Sequence, residues 1–108
     1  MVVIASYNGL NFVPPLLSDL ATFNVPNNKI CVVDNRSNNE EFLKYLDTLK
    51  EQGYNVLHNP RSTYALGAFK LAIDNLKDDV WFGMQDSYRI KQDIFSYVIP
   101  RLTDKNMY

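Results

Sequence analysis

The sequence predicts a three-layer α/β sandwich, in which a mainly parallel sheet carries helices on both faces. Three observations predict this class. Strand-like and helix-like segments alternate along the 108 residues. The strand-like segments are almost unbroken apolar runs, which are typical of strands covered on both faces. The connecting segments are short, so that right-handed crossovers restrict the topology.

The first quarter of the chain predicts one strand and one helix. A run of β-branched residues at 2–6 predicts the first strand. Leucines at helical spacing predict a helix over 12–23, and its two prolines suit a first turn, where a missing N–H costs little. A turn at 25–28 then leads into a second apolar strand at 29–34.

The middle of the chain predicts a second helix with clear ends. The polar segment 35–39 offers capping residues, and a stripe of apolar residues predicts a helix over 40–52. Acidic residues open this helix and a lysine comes late, as the helix dipole prefers. Gly53 is expected to end it.

The last part of the chain predicts two further strands and two further helices. A short strand at 54–59 precedes a helix of small and apolar residues at 62–76. Another strand follows at 79–84 and another helix at 91–102. We expect a single domain over residues 1–108. Because "KNMY" at the end resembles the start of another strand, we also expect the N-terminal part of a longer protein.

Composition excludes several classes of protein. A net charge of −1 argues against a broad nucleic-acid surface. Cys31 is the only cysteine and lies in an apolar run, so we expect a reduced core thiol, and with His58 as the only histidine no zinc pattern exists. No apolar run approaches a membrane span, and no basic region precedes the first strand. We therefore expect a cytoplasmic protein with no nucleic-acid partner.

Polar segments follow each of the four predicted strands. In a parallel sheet, ligands bind beyond the carboxyl ends of the strands, near the point where strand order reverses. After the first strand, Tyr7 offers a flat ring to a base, and Ser6 and Asn8 offer hydrogen bonds. The same Asn-Gly sequence is also typical of an ordinary turn.

The second and third strands are followed by charged and aromatic residues. Asp34 suits a ribose hydroxyl or a base N–H, but a capping Asp or Asn that opens the next helix is an equal alternative. Arg36 is either a phosphate ligand or a solvated side chain. Arg61 precedes a predicted helix N-terminus, where anions such as a diphosphate are favoured, although a surface arginine is an equal alternative. Tyr64 suits either stacking or the core.

The fourth strand is followed by one carboxylate, Asp86. It suits Mg²⁺ or Mn²⁺, which are often bound by one or two carboxylates with substrate phosphate and water. A simple turn residue is the alternative. Because the sequence has no glycine-rich phosphate loop, phosphate would be held by a metal and arginine. His58 is predicted to lie in a strand, so no nucleophile–histidine arrangement is indicated.

Three segments together resemble a known family: "VVIASYNG", "ICVVDNRSNNEEFLKYL" and "NPRSTYALGAFKLAIDNLKDDVWFGMQDS". They are similar to the N-terminal half of family-two-like glycosyltransferases of the GT-A fold, whose nucleotide-binding sheet is Rossmann-like. The resemblance covers nearly all of residues 2–90. It implies a first strand that ends in a Ser-Tyr-Asn-like segment, a second that ends in Asp, and a fourth that ends in an Asp-x-Asp-like metal motif.

The resemblance implies a nucleotide-sugar site. The base would lie against Ala5 and Tyr7, and Asp34 or Asn35 would bind uracil or ribose. The donor would be a UDP-sugar, the acceptor a glycan or another hydroxyl compound, the cofactor Mn²⁺ or Mg²⁺, and the reaction inverting. The complete set of implied site residues is Ala5, Ser6, Tyr7, Asp34, Asn35, Arg61, Tyr64, Gln85 and Asp86, with Asp86 as the metal ligand.

The sequence departs from the family pattern at two points. The motif reads Met84-Gln85-Asp86, so its first acid is absent, and the glycine often seen before the third helix is missing. The family's catalytic base follows the metal motif at some distance, and we expect it beyond Tyr108. Asp93 and Asp104 qualify only by their chemistry.

Two other functions fit a nucleotide-binding sheet. A nucleotidyltransferase would show a glycine-rich basic loop after the first strand, and "SYNGLNF" is not such a loop. A non-catalytic nucleotide-binding or structural α/β module would transfer no sugar.

Overall fold

The computed structural model describes residues 1–60, 65–87 and 89. Within them the strands and helices alternate in the predicted order. The predicted helix at 91–102 lies outside the described residues. The elements are β1 (Val2–Ser6), α1 (Val13–Thr22), a 3₁₀ turn (Asn27–Lys29), β2 (Ile30–Asn35), α2 (Glu40–Glu51), β3 (Asn55–Asn59), α3 (Ala65–Asn75) and β4 (Phe82–Gln85).

The four strands form one parallel sheet in the order β3-β2-β1-β4. The chain moves from β1 outward to β3 and then returns to the other side of β1. Strand order therefore reverses between β1 and β4, which is where ligands bind in sheets of this kind. The register pairs Ser6 with Asp34 and Ala5 with Gln85, so the polar ends of three strands stand level with one another.

Helices cover both faces of the sheet, as predicted. Successive side chains of a strand point to opposite faces. Val2 and Ile4 of β1 therefore pack in a core with α1 and α2, whereas Val3 and Ala5 pack in a second core with α3. The first core contains large side chains of the two helices: Val13, Leu16, Leu17, Leu20, Phe42, Leu46 and Leu49.

The second core is built from smaller side chains. Ala68 and Ala72 of α3 lie on Cys31 and Val33 of β2, and these four residues are buried. Cys31 is a free thiol, as predicted, and its burial raises the pKa to about 12. Gly83 of β4 also packs closely on this side of the sheet. A Cβ added there would lie 2.8 Å from the ring of Phe69.

The helix ends follow the expected signals. The two prolines stand in the first turn of α1. The Asn39 side chain caps α2 by accepting a hydrogen bond from the Phe42 N–H at 2.9 Å. Gly53 has a φ of 93°, which suits the residue that ends α2. In the described part of the chain, no helix has both the length and the apolar character that a membrane crossing requires.

β4 is shorter at its start than predicted. It begins at Phe82 rather than at residue 79 because its neighbour β1 begins at Val2, which pairs with Phe82. The preceding residues contact the Met1 amino group instead, which donates to the Val80 carbonyl at 2.8 Å and to Asp78 Oδ2 at 2.9 Å. A strand needs a neighbouring strand for its backbone hydrogen bonds, and β1 provides one only from residue 2 onward.

Candidate functional site

A cavity of about 180 Å³ lies at the carboxyl ends of β1 and β4, where strand order reverses. We call it the strand-end cavity. All but one of its lining residues were predicted as site residues, and the addition is Ala65 at the start of α3. The lining residues are Ala5, Ser6, Tyr7, Asn35, Ala65, Gln85 and Asp86.

Tyr7 gives the cavity an aromatic wall. It directly follows β1, and 55% of its surface is exposed. The phenol ring is thus a flat surface on which a heterocyclic ring can stack.

Asp86 is tied to the end of β1 by two hydrogen bonds. The buried Ser6 hydroxyl donates to Asp86 Oδ2 at 2.8 Å, and the Asp86 N–H donates to the Ala5 carbonyl at 3.1 Å. The carboxylate is half-buried and lines the cavity. Ser6 therefore fixes one oxygen of the predicted metal ligand.

Gly9 makes room for this pair. A Cβ on Gly9 would overlap with Ser6 Oγ and with Asp86 Oδ2, and it would lie 3.2 Å from Val13. The Gly9 carbonyl also accepts the Val13 N–H at 2.8 Å at the start of α1. "SYNG" predicts a turn, but its sequence gives no sign of the close approach of Asp86, which lies far along the chain.

Asp34 is not among the residues that line the strand-end cavity. It is 3% exposed, and both of its oxygens have partners. The Ser37 N–H donates to Oδ1 at 2.9 Å, and His58 Nδ1 lies 2.9 Å from Oδ2. The neighbouring Asn35 lines the cavity. Of the two residues predicted for uracil or ribose, the structure thus brings Asn35 to the cavity surface.

The polar segment 35–39 supplies the cap of α2, as predicted. Asn39, not Asp34, caps α2, while Asp34 closes a local turn through the Ser37 N–H. Arg36 between them is exposed and adopts a φ of 57°. Its side chain does not line the strand-end cavity.

The end of β3 supports the end of β2 through two side-chain contacts that the sequence did not predict. Asn59 Nδ2 donates to Asn35 Oδ1 at 3.0 Å, and both residues are buried. His58 lies in β3, as predicted, and contacts Asp34 while its Nε2 is 3.5 Å from Lys50 Nζ. Only the register between β2 and β3, which pairs Asp34 with His58, brings these residues together.

A second cavity, of about 300 Å³, also reaches Asp86. Arg89 forms part of its wall and donates from Nε and Nη2 to the two oxygens of Asp19, at 2.7 and 3.0 Å. Hydrogen bonding to Asp19 raises the pKa of Arg89. The residues of this wall are Asn11, Phe12, Pro15, Asp86, Ser87 and Arg89. The predicted ligands Arg61 and Tyr64 lie outside the described residues.

The single carboxylate of Asp86 fits a metal ion that binds together with a phosphate-bearing ligand. Across residues 1–60, 65–87 and 89, no group of three His, Cys, Asp or Glu side chains gathers around one point. Met84, at the position of the family's first acid, is 2% exposed and packs in the first core. One carboxylate still suits Mg²⁺ or Mn²⁺ when phosphate oxygens and water complete the coordination.

A comparison with known protein families finds a match. The family model described as "Glycosyl transferase family 2" matches residues 1–87. No curated protein sequence matches the chain at a significant level.

A solved structure shares the fold. It is the mannosyltransferase PcManGT from Pyrobaculum calidifontis in complex with GDP-Man and Mn²⁺, which matches with a TM-score of 0.74 and 12% sequence identity. The match covers 94% of this chain and 31% of that chain, so the present chain spans about a third of its length. At this identity the likeness shows the fold, which is the predicted N-terminal GT-A half.

Proposed function

Because the chain belongs to glycosyl transferase family 2, we propose that it forms the donor-binding half of a glycosyltransferase. The complete protein would move a sugar from a nucleotide-diphosphate donor to an acceptor hydroxyl, on a glycan or another hydroxyl compound. One observation supports this proposal above the others. An aromatic ring, an amide and a carboxylate line a single cavity at the point where strand order reverses. Residues 1–108 would be one domain of a longer chain.

The nucleoside part of the donor is proposed to lie between Tyr7 and Asn35. The exposed Tyr7 ring would stack on the base, and the Asn35 amide, oriented by Asn59, would hydrogen-bond to base or ribose. UDP is the proposed nucleotide, as the resemblance implies. GDP is the alternative, because the mannosyltransferase of similar fold was solved with GDP-Man.

Asp34 is proposed to act mainly through the loop that it holds. Its carboxylate is buried and already accepts a hydrogen bond from the Ser37 N–H. A direct contact with uracil or ribose, as the resemblance implies, requires Asp34 Oδ2 to exchange its contact with His58 for the ligand. Arg61 and Tyr64 are proposed to contact the base and diphosphate on the strength of the resemblance.

Asp86 is proposed to hold Mn²⁺ or Mg²⁺, with Gln85 beside it at the rim. When bound, such an ion neutralises negative charge on the leaving nucleoside diphosphate. Ser6 holds one carboxylate oxygen in place, so that the side chain loses little further freedom when the donor arrives.

The transfer step is proposed to invert the anomeric centre, as the resemblance implies. The base that deprotonates the acceptor hydroxyl would then lie beyond Tyr108, since the carboxylate that lines the described cavity, Asp86, serves the metal. A cytoplasmic location is proposed as well, and the free thiol of Cys31 accords with it.

Ligand-induced thermal shifts and calorimetry test the proposal. UDP, GDP and CMP are added with and without Mn²⁺, and we expect UDP to stabilise the protein only when the metal is present. Asp86→Ala should abolish this metal-dependent binding, while Asp74→Ala on the exposed face of α3 should leave it unchanged. Unchanged affinity in Asp86→Ala would remove that residue from the site. No response to any nucleotide would favour the structural module.

A further inference from the structure

We propose that Asn8 is a positioning residue that joins the two walls of the strand-end cavity. The sequence suggested a hydrogen bond from Asn8 to a ligand, but its polar groups are used within the protein. The inference rests on the proposed function, because it concerns how well the cavity fits a nucleotide.

Asn8 makes four hydrogen bonds, all to the loop between β2 and α2. Its Oδ1 accepts from the backbone N–H groups of Asn38 and Asn39, each at 3.0 Å. Its Nδ2 donates to Asn38 Oδ1 at 2.8 Å, and its backbone N–H donates to Ser37 Oγ at 2.8 Å. A single residue of one loop thus holds three consecutive residues of the next loop.

Each of these two loops adjoins a residue that lines the cavity. Tyr7 immediately precedes Asn8, and Asn35 stands at the end of β2, directly before the loop that Asn8 holds. The contacts of Asn8 therefore restrict how far the Tyr7 segment can move from the segment that follows Asn35, in addition to the pairing of β1 with β2. A nucleoside that stacks on Tyr7 and hydrogen-bonds to Asn35 depends on the separation between them, because small misplacements weaken both contacts.

The local backbone explains why asparagine serves here. Asn8 has a φ of 48°, in the left-handed region that asparagine tolerates better than most residues other than glycine. Its amide also offers an acceptor and a donor on the same short side chain. Asp would retain the acceptor but not the donor, whereas Gly would retain the backbone conformation without any side-chain contact.

The contacts continue beyond the two loops. Ser37, which accepts from Asn8, donates its own N–H to Asp34 Oδ1, and Asp34 in turn contacts His58 on β3. Asn8 therefore anchors one end of a series of hydrogen bonds that crosses from β1 to β3 along the carboxyl edge of the sheet.

Two variants separate the side chain's role from backbone strain. Asn8→Gly should weaken metal-dependent binding of UDP about 10-fold, because the three side-chain bonds to Asn38 and Asn39 are lost without any strain at residue 8, and only the backbone bond to Ser37 remains. Asn8→Asp keeps the acceptor for the Asn38 and Asn39 N–H groups and should stay within about threefold of wild type. Calorimetry measures both affinities, with GDP in place of UDP if that is the nucleotide bound.

A matched control and a second readout complete the test. Asn39→Ala removes the cap of α2 and should lower the melting temperature while leaving the affinity unchanged. Amide hydrogen exchange at Asn38 and Asn39 should accelerate in Asn8→Gly but not in Asn8→Asp, with or without nucleotide.

The outcomes distinguish the two proposals. Equal affinity of wild type and Asn8→Gly, with faster exchange in the variant, would overturn the positioning role alone. Unchanged exchange would overturn the connection between the loops. A wild-type protein that binds no nucleotide would overturn the proposed function and the positioning role together, although faster exchange would still show that the loops are joined.

Discussion

Two carboxylates stand at opposite ends of β4, and their surroundings differ. Asp78, before the strand, has a side chain that is 5% exposed, and it accepts from the Met1 amino group at 2.9 Å and from Lys29 Nζ at 3.1 Å. Asp86, after the strand, accepts from the neutral hydroxyl of Ser6 and lines two cavities. Among the described residues, no cation forms a salt bridge with Asp86.

The two ends of the strand therefore use the same chemical group differently. Burial alone raises the pKa of Asp78, but the hydrogen bonds from the Met1 amino group, Lys29 and the Asp79 N–H lower it to about 2. Its charge is neutralised inside the protein. The charge of Asp86 remains available to a ligand, which is what a cation site requires. The carboxylate at the amino end of β4 is paired within the protein, and the one at the carboxyl end is the proposed metal ligand.

The largest expected effect comes from adding an acid in the middle of the strand. Met84→Asp restores the family's first acid in sequence but places it in the first core, where Met84 is 2% exposed. A buried carboxylate without a partner costs several kcal/mol, so we expect the free energy of unfolding to fall by at least about 3 kcal/mol. Urea denaturation measures this loss.

Gln85→Asp is the matched control for this change. Gln85 is exposed and lines the strand-end cavity, so an acid there should change stability by less than about 0.5 kcal/mol. It should raise the affinity for Mn²⁺ severalfold, because a second carboxylate joins Asp86. If Met84→Asp were instead stable and bound Mn²⁺ more tightly, residue 84 would face the cavity and not the core.

The intermediate effect is at the amino end of the strand. Asp78→Asn should lower the free energy of unfolding by about 1–2 kcal/mol at neutral pH, after allowance for solvent screening. The folded pKa lies below the ordinary value of 3.8, so this contribution is present above pH 3.8 and is lost as the pH falls through about 2. Denaturation of both proteins between pH 7 and pH 2 measures the difference.

The control at this end is Asp74→Asn. Asp74 pairs with Lys70 at 2.6 Å on the exposed side of α3 and should contribute less than about 0.5 kcal/mol. A difference between wild type and Asp78→Asn that stays constant down to pH 2 would contradict the lowered pKa of Asp78.

The smallest expected effect on stability is at Asp86. Asp86→Asn retains an oxygen that accepts the Ser6 hydroxyl, so its free energy of unfolding should stay within about 0.5 kcal/mol of wild type. Metal-dependent nucleotide binding should nevertheless be lost, since a neutral amide is a poor ligand for Mn²⁺. A large loss of stability would mean that Asp86, like Asp78, is mainly structural.

The sequence predicted the sheet well because parallel strands that are buried on both faces consist almost entirely of consecutive apolar residues. It located all four described strands, and most of the lining of the strand-end cavity follows from the rule that ligands bind at carboxyl ends. The start of β4 was wrong by three residues, because it is set by where the neighbouring β1 begins.

The sequence could not predict how the polar side chains at the strand ends pair with one another. Whether Asp34 faces a ligand or His58 depends on the register between β2 and β3, and on rotamers that no local pattern specifies. The bonds from Asn8 to Asn38 and Asn39 join residues about 30 positions apart. Gly9 was interpretable as a turn residue, but the need for space beside Asp86 appears only in three dimensions.

The contacts of Asn8 have a consequence for the chemical ageing of the protein. In an Asn-Gly dipeptide, the glycine backbone nitrogen readily attacks the side-chain carbonyl carbon of the asparagine. A cyclic imide forms and the side-chain nitrogen leaves as ammonia. Here the amide of Asn8 is held on both its oxygen and its nitrogen, so ring closure with Gly9 must first break these bonds. Folding thus protects a labile bond, and deamidation at this dipeptide should accumulate mainly in molecules that have unfolded.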